Sequence, residues 1–250
     1  MSAERRFRPE QLAIYLVTDP ALCATQGLEE TVMAAVRGGV TLVQLRDKHA
    51  SDAELIAIAR RLKTLLDGSG VPLVINDRVE VALAAEVDGV HLGQGDGDVG
   101  EARRLLGEQA IIGLSVQNHT QLDKLDRAAL DYLGLGPVFA TSTKSDHATP
   151  LGLSGLARLV SASPLPNVAI GGLKAEHAAQ VRASGADGMA VVSAICGQPD
   201  PQAATQVLVK EWAVSHSHEY RVTSRPVPLD HRQKPGFGGY LKLTAYNSKL

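Results

Sequence analysis

Three side chains able to bind an anion stand at alternate positions of the segment VQLRDK. Gln44, Arg46 and Lys48 are at i, i+2 and i+4, so they point to the same side wherever the chain is extended. An amide and two permanent cations on one face suit an anion with several oxygen atoms. A buried salt bridge to acidic neighbours, with Lys48 already in a solvated loop, is an equally good interpretation of this segment alone.

Oxygen ligands follow the next two apolar segments of the chain. The motif INDR carries Asn76 and Asp77, and Asp96 ends the motif GVHLGQGD. If these segments end side by side, the two carboxylates could share a hard cation such as Mg²⁺, which takes few protein carboxylates and completes its shell with phosphate oxygens. Cations and carboxylates together therefore predict a site for a metal-bound diphosphate.

Ordinary structural roles compete with this interpretation. Asp77 stands three residues before Glu80 and could simply cap a helix, as Asp98 could with Glu101. Because Asp98 is the better cap for the helix that follows, Asp96 is harder to explain in this way. His91, in the same segment, is more typical of a packed histidine at a strand end than of a ligand.

All of these residues follow short apolar segments that alternate with helical patterns. The apolar segments predict eight strands, at residues 12–18, 40–46, 72–76, 87–92, 110–115, 130–136, 166–170 and 186–192. Residues 52–67 have the clearest helical periodicity, with Ser51 or Asp52 as the N-cap. The pattern predicts an α/β protein in which each strand is followed by a helix.

The count of eight favours a closed (β/α)8 TIM barrel over an open sheet. No G-x-G-x-x-G motif follows the first strand, which removes the usual argument for a dinucleotide-binding sheet. In such a barrel the chemistry lies at the carboxyl ends of the strands. We therefore predict that the polar residues above meet at one rim, together with Ser115 from the end of the fifth strand.

Two further features belong to this predicted rim. Residues 136–150 form a long, hydroxyl-rich loop that carries Lys144, and such loops are often ligand clamps, although a mobile surface excursion is the alternative. Gly171 and Gly172 follow the seventh strand and Ser193 follows the eighth. Backbone amides at these two positions often bind phosphate in such barrels. The sequence thus predicts a second, monophosphate site.

The composition argues against several other classes of protein. The chain has 250 residues, a formal net charge of −2 and scattered basic residues, so nothing indicates binding to nucleic acid. It has no run of 18 apolar residues and a polar N-terminus, which favours a cytoplasmic protein without a membrane span. Cys23 and Cys196 are too few and too far apart in sequence to indicate a disulfide framework. We expect a barrel domain at residues 1–214 and a flexible extension at residues 215–250.

The motifs resemble those of the thiamin phosphate synthase family. The resemblance runs from about residue 14 to residue 195 and covers eight strand ends: IYLVTD, VQLRDK, INDR, GVHLGQGD, GLS, GPVFATSTK, AIGG and VVSAI. It implies an enzyme that uses Mg²⁺ and joins hydroxymethylpyrimidine diphosphate to hydroxyethylthiazole phosphate, with release of pyrophosphate. Gly95 is a minor departure, because a bulkier or acidic residue is frequent there. The partners implied are small molecules, and a homo-oligomer is compatible with the sequence.

The resemblance also implies a role for each matching residue. It assigns the diphosphate to Arg46, Lys48, Asn76 and Lys144, and magnesium to Asp77 and Asp96. It assigns the pyrimidine to Gln44 and Ser115, the rim of the thiazole site to Thr141 and Thr143, and the thiazole phosphate to Gly172, Val192 and Ser193. The residues expected to take part in catalysis are Arg46, Lys48, Ser115 and Lys144.

Two alternative functions share parts of this pattern. A thiazole tautomerase would share the barrel and the thiazole phosphate site but not the diphosphate machinery. A non-enzymatic phosphate-binding barrel would have little use for a pair of metal-binding carboxylates. The residues Arg46, Lys48, Asp77, Asp96 and Lys144 favour the synthase over both.

Overall fold

Eight parallel strands close into a barrel in the computed structural model, which describes residues 7–141 and 149–214. Each strand pairs with its neighbours in chain order, and β1 pairs with β8 to close the sheet. The strands are β1 Ile14–Val17, β2 Leu42–Leu45, β3 Leu73–Asn76, β4 Gly89–Leu92, β5 Ile111–Val116, β6 Tyr132–Leu135, β7 Asn167–Ala169 and β8 Gly188–Val191. The predicted (β/α)8 barrel is confirmed, and most strands are shorter than predicted because the ends of the apolar segments lie in the connections between strands and helices.

Helices cover the outside of this barrel. They are α1 Pro20–Cys23, α2 Leu28–Gly38, α3 Asp52–Leu66, α4 Val79–Ala85, α5 Val99–Leu106, α6 His119–Leu122, α7 Gly152–Ala162, α8 Ala178–Ala183 and α9 Pro201–Val214, with short 3-10 helices at Pro9–Leu12 and Ala175–His177. Within the described ranges, no helix is long and apolar enough to cross a membrane.

Local sequence signals explain where two of these helices begin. Ser51 and Glu54 form a capping box at the start of α3, which matches the helix predicted at residues 52–67. The side chain of Asp98 accepts a hydrogen bond from the Glu101 amide at the start of α5, so this predicted cap is confirmed. The competing interpretation of Asp77 as a cap is wrong, because the N-cap of α4 is Arg78 and no side-chain cap bond is formed there.

The sheet separates two apolar layers. The larger lies between strands and helices, and residues such as Ile14 and Leu16 contribute to it. Along the same strand Tyr15 points the other way, into a smaller cluster that fills the barrel and also contains Tyr132. Alternation along each strand thus directs one set of side chains to the helices and the other to the barrel interior. The second set forms the floor of the candidate site.

Candidate active site

A cavity opens at the carboxyl ends of the strands, as the barrel predicts. Side chains and loops from all around the rim line it: Tyr15, Val17, Gln44, Arg46, Lys48, Asn76, Asp77, His91, Ser115, Gln117, Gly136, Pro137, Thr141, Ile170, Gly171, Gly172, Leu173, Ala190, Val191, Val192 and Ser193. All the described residues that the sequence assigns to the substrates are in this set. The tertiary fold therefore brings together residues as far apart in the sequence as Gln44 and Ser193.

The cationic side of the cavity is held in place by the end of β1. Strand β2 ends at Leu45, so Arg46 and Lys48 lie in the loop after it, yet both still line the cavity. Thr18, which is fully buried, accepts a hydrogen bond from the Arg46 amide at 2.9 Å, and its own amide donates to the Gln44 carbonyl at 3.0 Å. Thr18 was not identified from the sequence. It fixes the backbone from which two of the anion-binding residues project.

The two predicted metal-binding carboxylates are neighbours. Burial together with the adjacent Asp96 side chain raises the pKa of Asp77 to about 6, while Asn76 and the charge of Lys48 act in the opposite direction. Asp77 also has a φ of 66°, in the left-handed region, and its amide donates to the His91 carbonyl at 2.9 Å. In this conformation the Asp77 side chain contacts that of Asp96, and no side-chain cap bond forms at the start of α4.

A tight turn holds Asp96 opposite Asp77. The carboxylate accepts a hydrogen bond from the Gly93 amide at 2.7 Å, and a Cβ at Gly93 would lie only 2.6 Å from that carboxylate oxygen. The glycine is thus required by the close approach of Asp96. Asp96 completes the carboxylate pair from the loop after β4.

The donor chemistry of this pair fits Mg²⁺. Within residues 7–141 and 149–214, no group of three or more histidine, cysteine, aspartate or glutamate side chains could hold a metal. Two carboxylates leave most coordination positions to other oxygens, and Mg²⁺ is commonly held in this way by one or two carboxylates and the phosphates of its substrate. Two adjacent carboxylates of the same charge also gain stability when a cation lies between them. The pair therefore suits a cation that arrives with a diphosphate.

A chain of hydrogen bonds crosses the barrel beneath the cavity. Gln44 donates to the Tyr15 hydroxyl at 2.5 Å, and the hydroxyls of Tyr15 and Tyr132 are 2.8 Å apart. The His91 ring lies 2.9 Å from Tyr132 through Nδ1 and 2.9 Å from Ser115 Oγ through Nε2. Sequence analysis predicted the packed character of His91 and missed both tyrosines, because each sits inside a predicted strand, where an aromatic residue is typical of the core.

The loops after β6 and β7 are packed against each other. Gly171 and Gly172 have φ values of 92° and 67°, and a Cβ on Gly172 would lie 2.6 Å from the Ala140 carbonyl oxygen. The Val138 amide donates to the Ile170 carbonyl at 2.8 Å. The Gly-Gly pair is thus explained by close packing as well as by left-handed backbone. The packing places Thr141 at the cavity beside the predicted phosphate loop.

A lysine that the sequence did not single out lies beside the residues after β8. Lys174 Nζ donates to Ser193 Oγ at 2.8 Å, and the Gln198 side chain donates to the Ser193 carbonyl at 2.8 Å. Lys174 in turn is fixed by its amide, which donates to His177 Nδ1 at 3.0 Å. The only signal in the sequence is its position two residues after Gly172. Lys174 adds a positive charge to the side of the rim predicted to bind a monophosphate.

Two of the predicted site residues, Thr143 and Lys144, lie outside the described residues. Their assignment to the thiazole site and the diphosphate stays a prediction.

The sequence model of the family described as thiamine monophosphate synthase matches residues 14–195, which include the whole barrel. The chain belongs to this family. Two relatives named thiamine-phosphate synthase, from a Psychrobacter species and from Xanthobacter autotrophicus, are 55% and 51% identical to this chain. These alignments cover 81% and 80% of this chain and 96% and 95% of the two relatives.

Solved structures agree with this membership in the thiamine monophosphate synthase family. The thiamine phosphate pyrophosphorylase of Pyrococcus furiosus is 35% identical, with a TM-score of 0.75 over 83% of this chain and 98% of that one. A phosphoribosyl anthranilate isomerase from Thermotoga maritima has a TM-score of 0.56 over 81% of this chain and 99% of that one, at 16% identity. That second likeness concerns the barrel fold alone.

Proposed function

We propose that this family member couples hydroxymethylpyrimidine diphosphate to hydroxyethylthiazole phosphate, giving thiamin phosphate and pyrophosphate. The observation that carries the proposal is the meeting of two cations, Arg46 and Lys48, with two neighbouring carboxylates, Asp77 and Asp96, at one rim of the barrel. A metal-bound diphosphate satisfies both sets of charges. The family membership of the chain supports the same reaction.

The chemical step needs charge stabilisation more than proton transfer. The bond between the pyrimidine methylene carbon and the diphosphate oxygen breaks, and its electron pair leaves with the diphosphate. The lone pair of the thiazole nitrogen forms the new carbon–nitrogen bond, so no base has to remove a proton in this step. The cations that bind the departing oxygens and stabilise the charge that develops on them are Arg46, Lys48 and Lys144. Asp77 and Asp96 would hold Mg²⁺, which would act as a Lewis acid and neutralise part of the same charge.

The remaining residues would position the rings and the phosphate groups of the two substrates. We assign the diphosphate also to Asn76, the pyrimidine to Gln44 and Ser115, and the thiazole rim to Thr141 and Thr143. The thiazole phosphate is assigned to Gly172, Val192 and Ser193, where Lys174 adds a positive charge through its contact with Ser193. Holding both rings at near-attack distance supplies a large part of the rate enhancement.

The proposal extends to the setting in which the enzyme works. We infer a cytoplasmic enzyme whose partners are these small molecules, with residues 1–214 carrying the activity and residues 215–250 forming an extension. A homo-oligomer remains compatible with this assignment.

The test is to mix the full-length protein with both substrates and Mg²⁺. We expect thiamin phosphate and pyrophosphate in equal amounts, with no pyrophosphate released when the thiazole phosphate is omitted. A thiazole tautomerase would convert a thiazole phosphate isomer and ignore the diphosphate. A protein that only binds phosphate would give neither product. Either of these results would refute the synthase assignment.

A further inference from the structure

The two proposed pyrimidine-binding residues are linked through the interior of the barrel. Gln44 on β2 and Ser115 on β5 both line the cavity, and they are the ends of the relay Gln44, Tyr15, Tyr132, His91 and Ser115. Strands β2 and β5 are not adjacent, so the two ends have no direct sheet contact. The relay is a hydrogen-bonded route that connects them.

Neither tyrosine has an easy alternative partner in water. Tyr15 is 1% exposed and Tyr132 is fully buried, and burial raises the pKa of both hydroxyls above the usual value. Both therefore stay protonated, and each hydroxyl has one hydrogen to donate. Since a buried hydroxyl without a partner is costly, each hydrogen must go to a neighbour in the relay.

The barrel makes room for this relay. A Cβ at Gly113 would lie 2.2 Å from the Tyr132 ring, and a Cβ at Gly134 would lie 3.0 Å from the His91 ring. Glycines on β5 and β6 thus leave the space that the two rings occupy. Phe7 stacks on the Tyr132 ring, with ring centroids 5.7 Å apart. The rings are held by packing, so the direction of the hydrogen bonds is the remaining variable.

That direction follows from one end of the relay. The Gln44 amide nitrogen donates to Tyr15, so the Tyr15 hydrogen goes to Tyr132. The Tyr132 hydrogen then goes to His91 Nδ1, which accepts only if the ring carries its hydrogen on Nε2. His91 Nε2 in turn donates to Ser115 Oγ, which leaves the Ser115 hydrogen for a ligand.

Resting on the proposed function, we propose that Tyr132 is a positioning residue that couples the hydrogen-bonding character of Gln44 to that of Ser115. The relay fixes the Gln44 carbonyl oxygen as an acceptor and the Ser115 hydroxyl as a donor toward the ligand. This pair suits a pyrimidine that turns an amino group toward β2 and a ring nitrogen acceptor toward β5. It disfavours the oxo counterpart, in which a carbonyl replaces the amino group.

Reversing the selectivity requires every bond in the relay to reverse. The Gln44 amide would have to turn by 180° and the His91 hydrogen would have to move to Nδ1. Because Tyr132 is the middle link, removing its hydroxyl frees the two ends from each other. Selectivity for an amino over an oxo pyrimidine should then fall, even though Tyr132 itself does not line the cavity.

The first measurement is spectroscopic and uses the full-length protein without ligand. Long-range ¹⁵N–¹H correlation spectra of histidine-labelled protein report which nitrogen carries the hydrogen, and His91→Gln assigns the signal. We expect His91 with its hydrogen on Nε2. In Tyr132→Phe the fixed preference should weaken, visible as a shift of the Nδ1 resonance. A wild-type ring with its hydrogen on Nδ1 would overturn the proposal.

The second measurement compares two substrates, an amino pyrimidine diphosphate and its oxo counterpart. We expect the ratio of kcat/KM for the amino pyrimidine to kcat/KM for the oxo pyrimidine to fall about tenfold in Tyr132→Phe. A change of about this size is expected when one hydrogen bond no longer discriminates between the two substrates. Phe7→Leu is the matched control, because it alters packing on the same ring and leaves the hydroxyl in place, so the ratio should stay the same. An unchanged ratio in Tyr132→Phe would overturn the proposal.

Failures of the two proposals can be told apart. If wild-type protein makes no product from either pyrimidine, the proposed function is wrong, and the His91 spectrum together with calorimetric binding of the two diphosphates still decides the role of the relay. If wild-type protein is active and selective while Tyr132→Phe keeps its selectivity, only the role of Tyr132 is wrong. Should Tyr132→Phe fail to fold, Tyr15→Phe removes the adjacent link and is expected to give the same loss of selectivity.

Discussion

The carboxylates of Asp77 and Asp96 lie side by side at the rim of the barrel, and this proximity, added to burial, raises the pKa of Asp77 to about 6. Asp77 comes from the end of β3 and Asp96 from the loop after β4, so adjacent strands bring the pair together. The same proximity that costs stability without a cation makes the pair suitable for one.

The first prediction concerns stability without metal. The pKa of Asp77 in the folded state lies above its ordinary value of 3.8, so its negative charge costs stability above about pH 6, and the cost disappears as the pH falls to about 4. Asp77→Asn should therefore raise Tm at pH 7 in metal-free buffer and have little effect near pH 4. Asn also tolerates the left-handed backbone at this position.

Thermal unfolding followed by circular dichroism at the two pH values checks this expectation. Asp67→Asn is the control, because Asp67 is exposed and should give little change at either pH. A lower Tm for Asp77→Asn at pH 7 would show that the carboxylate is stabilised rather than strained in the metal-free protein.

The second prediction separates two neighbouring aspartates. Asp96→Ala should impair turnover and raise the Mg²⁺ concentration needed for activity, while the fold stays intact, because one of two carboxylate ligands is lost. Asp98→Ala should leave turnover unchanged and lower the free energy of unfolding by about 1 kcal/mol, because the N-cap of α5 is lost. Steady-state rates against Mg²⁺ concentration, together with Tm, distinguish the two. Normal turnover in Asp96→Ala would contradict its assigned role.

The third prediction concerns Lys144. Lys144→Ala should lower kcat by about 100-fold or more, the usual cost of removing a fixed charge from a developing anion, while the circular dichroism spectrum is unchanged. Lys124→Ala removes an exposed lysine and should turn over at the wild-type rate. If the two variants have the same kcat, Lys144 does not stabilise the departing diphosphate.

The fourth prediction concerns the contact between Lys174 and Ser193. Lys174→Met should raise KM for the thiazole phosphate about 5- to 10-fold, as expected for one lost hydrogen bond, with a much smaller change in KM for the pyrimidine diphosphate. Lys210→Met, on the exposed face of α9, is the control. Equal increases in both KM values would mean that Lys174 acts on the whole site and not on the monophosphate end.

The fifth prediction concerns the extension. The family match ends at residue 195 and α9 ends at Val214, so deleting residues 215–250 should leave Tm and kcat/KM within about twofold of the full-length values. Unfolding scans and steady-state kinetics on both forms provide the comparison. A large loss of activity on deletion would show that the extension belongs to the functional unit.

Much of the fold and of the site was determined by the sequence alone. The alternating strand and helix patterns predicted all eight strands. The strands of a parallel sheet are buried on both faces, so each one forms a short, almost continuous apolar segment that can be recognised in the sequence. Polar residues at or just after the ends of such segments, such as Arg46, Asp77 and Ser115, stand out against that background. Barrel geometry then predicts that they meet.

Other features depend on the tertiary structure, because they are contacts between residues distant in sequence. Tyr15 and Tyr132 look like ordinary core residues of two strands, and only closure of the barrel joins their hydroxyls. Cys23 and Cys196, far apart in the chain, become buried neighbours, and a hydrogen bond from Cys196 lowers the pKa of Cys23 to about 7. A residue type and its local pattern decide which face it prefers, but the partner across the barrel is set by strand order and register.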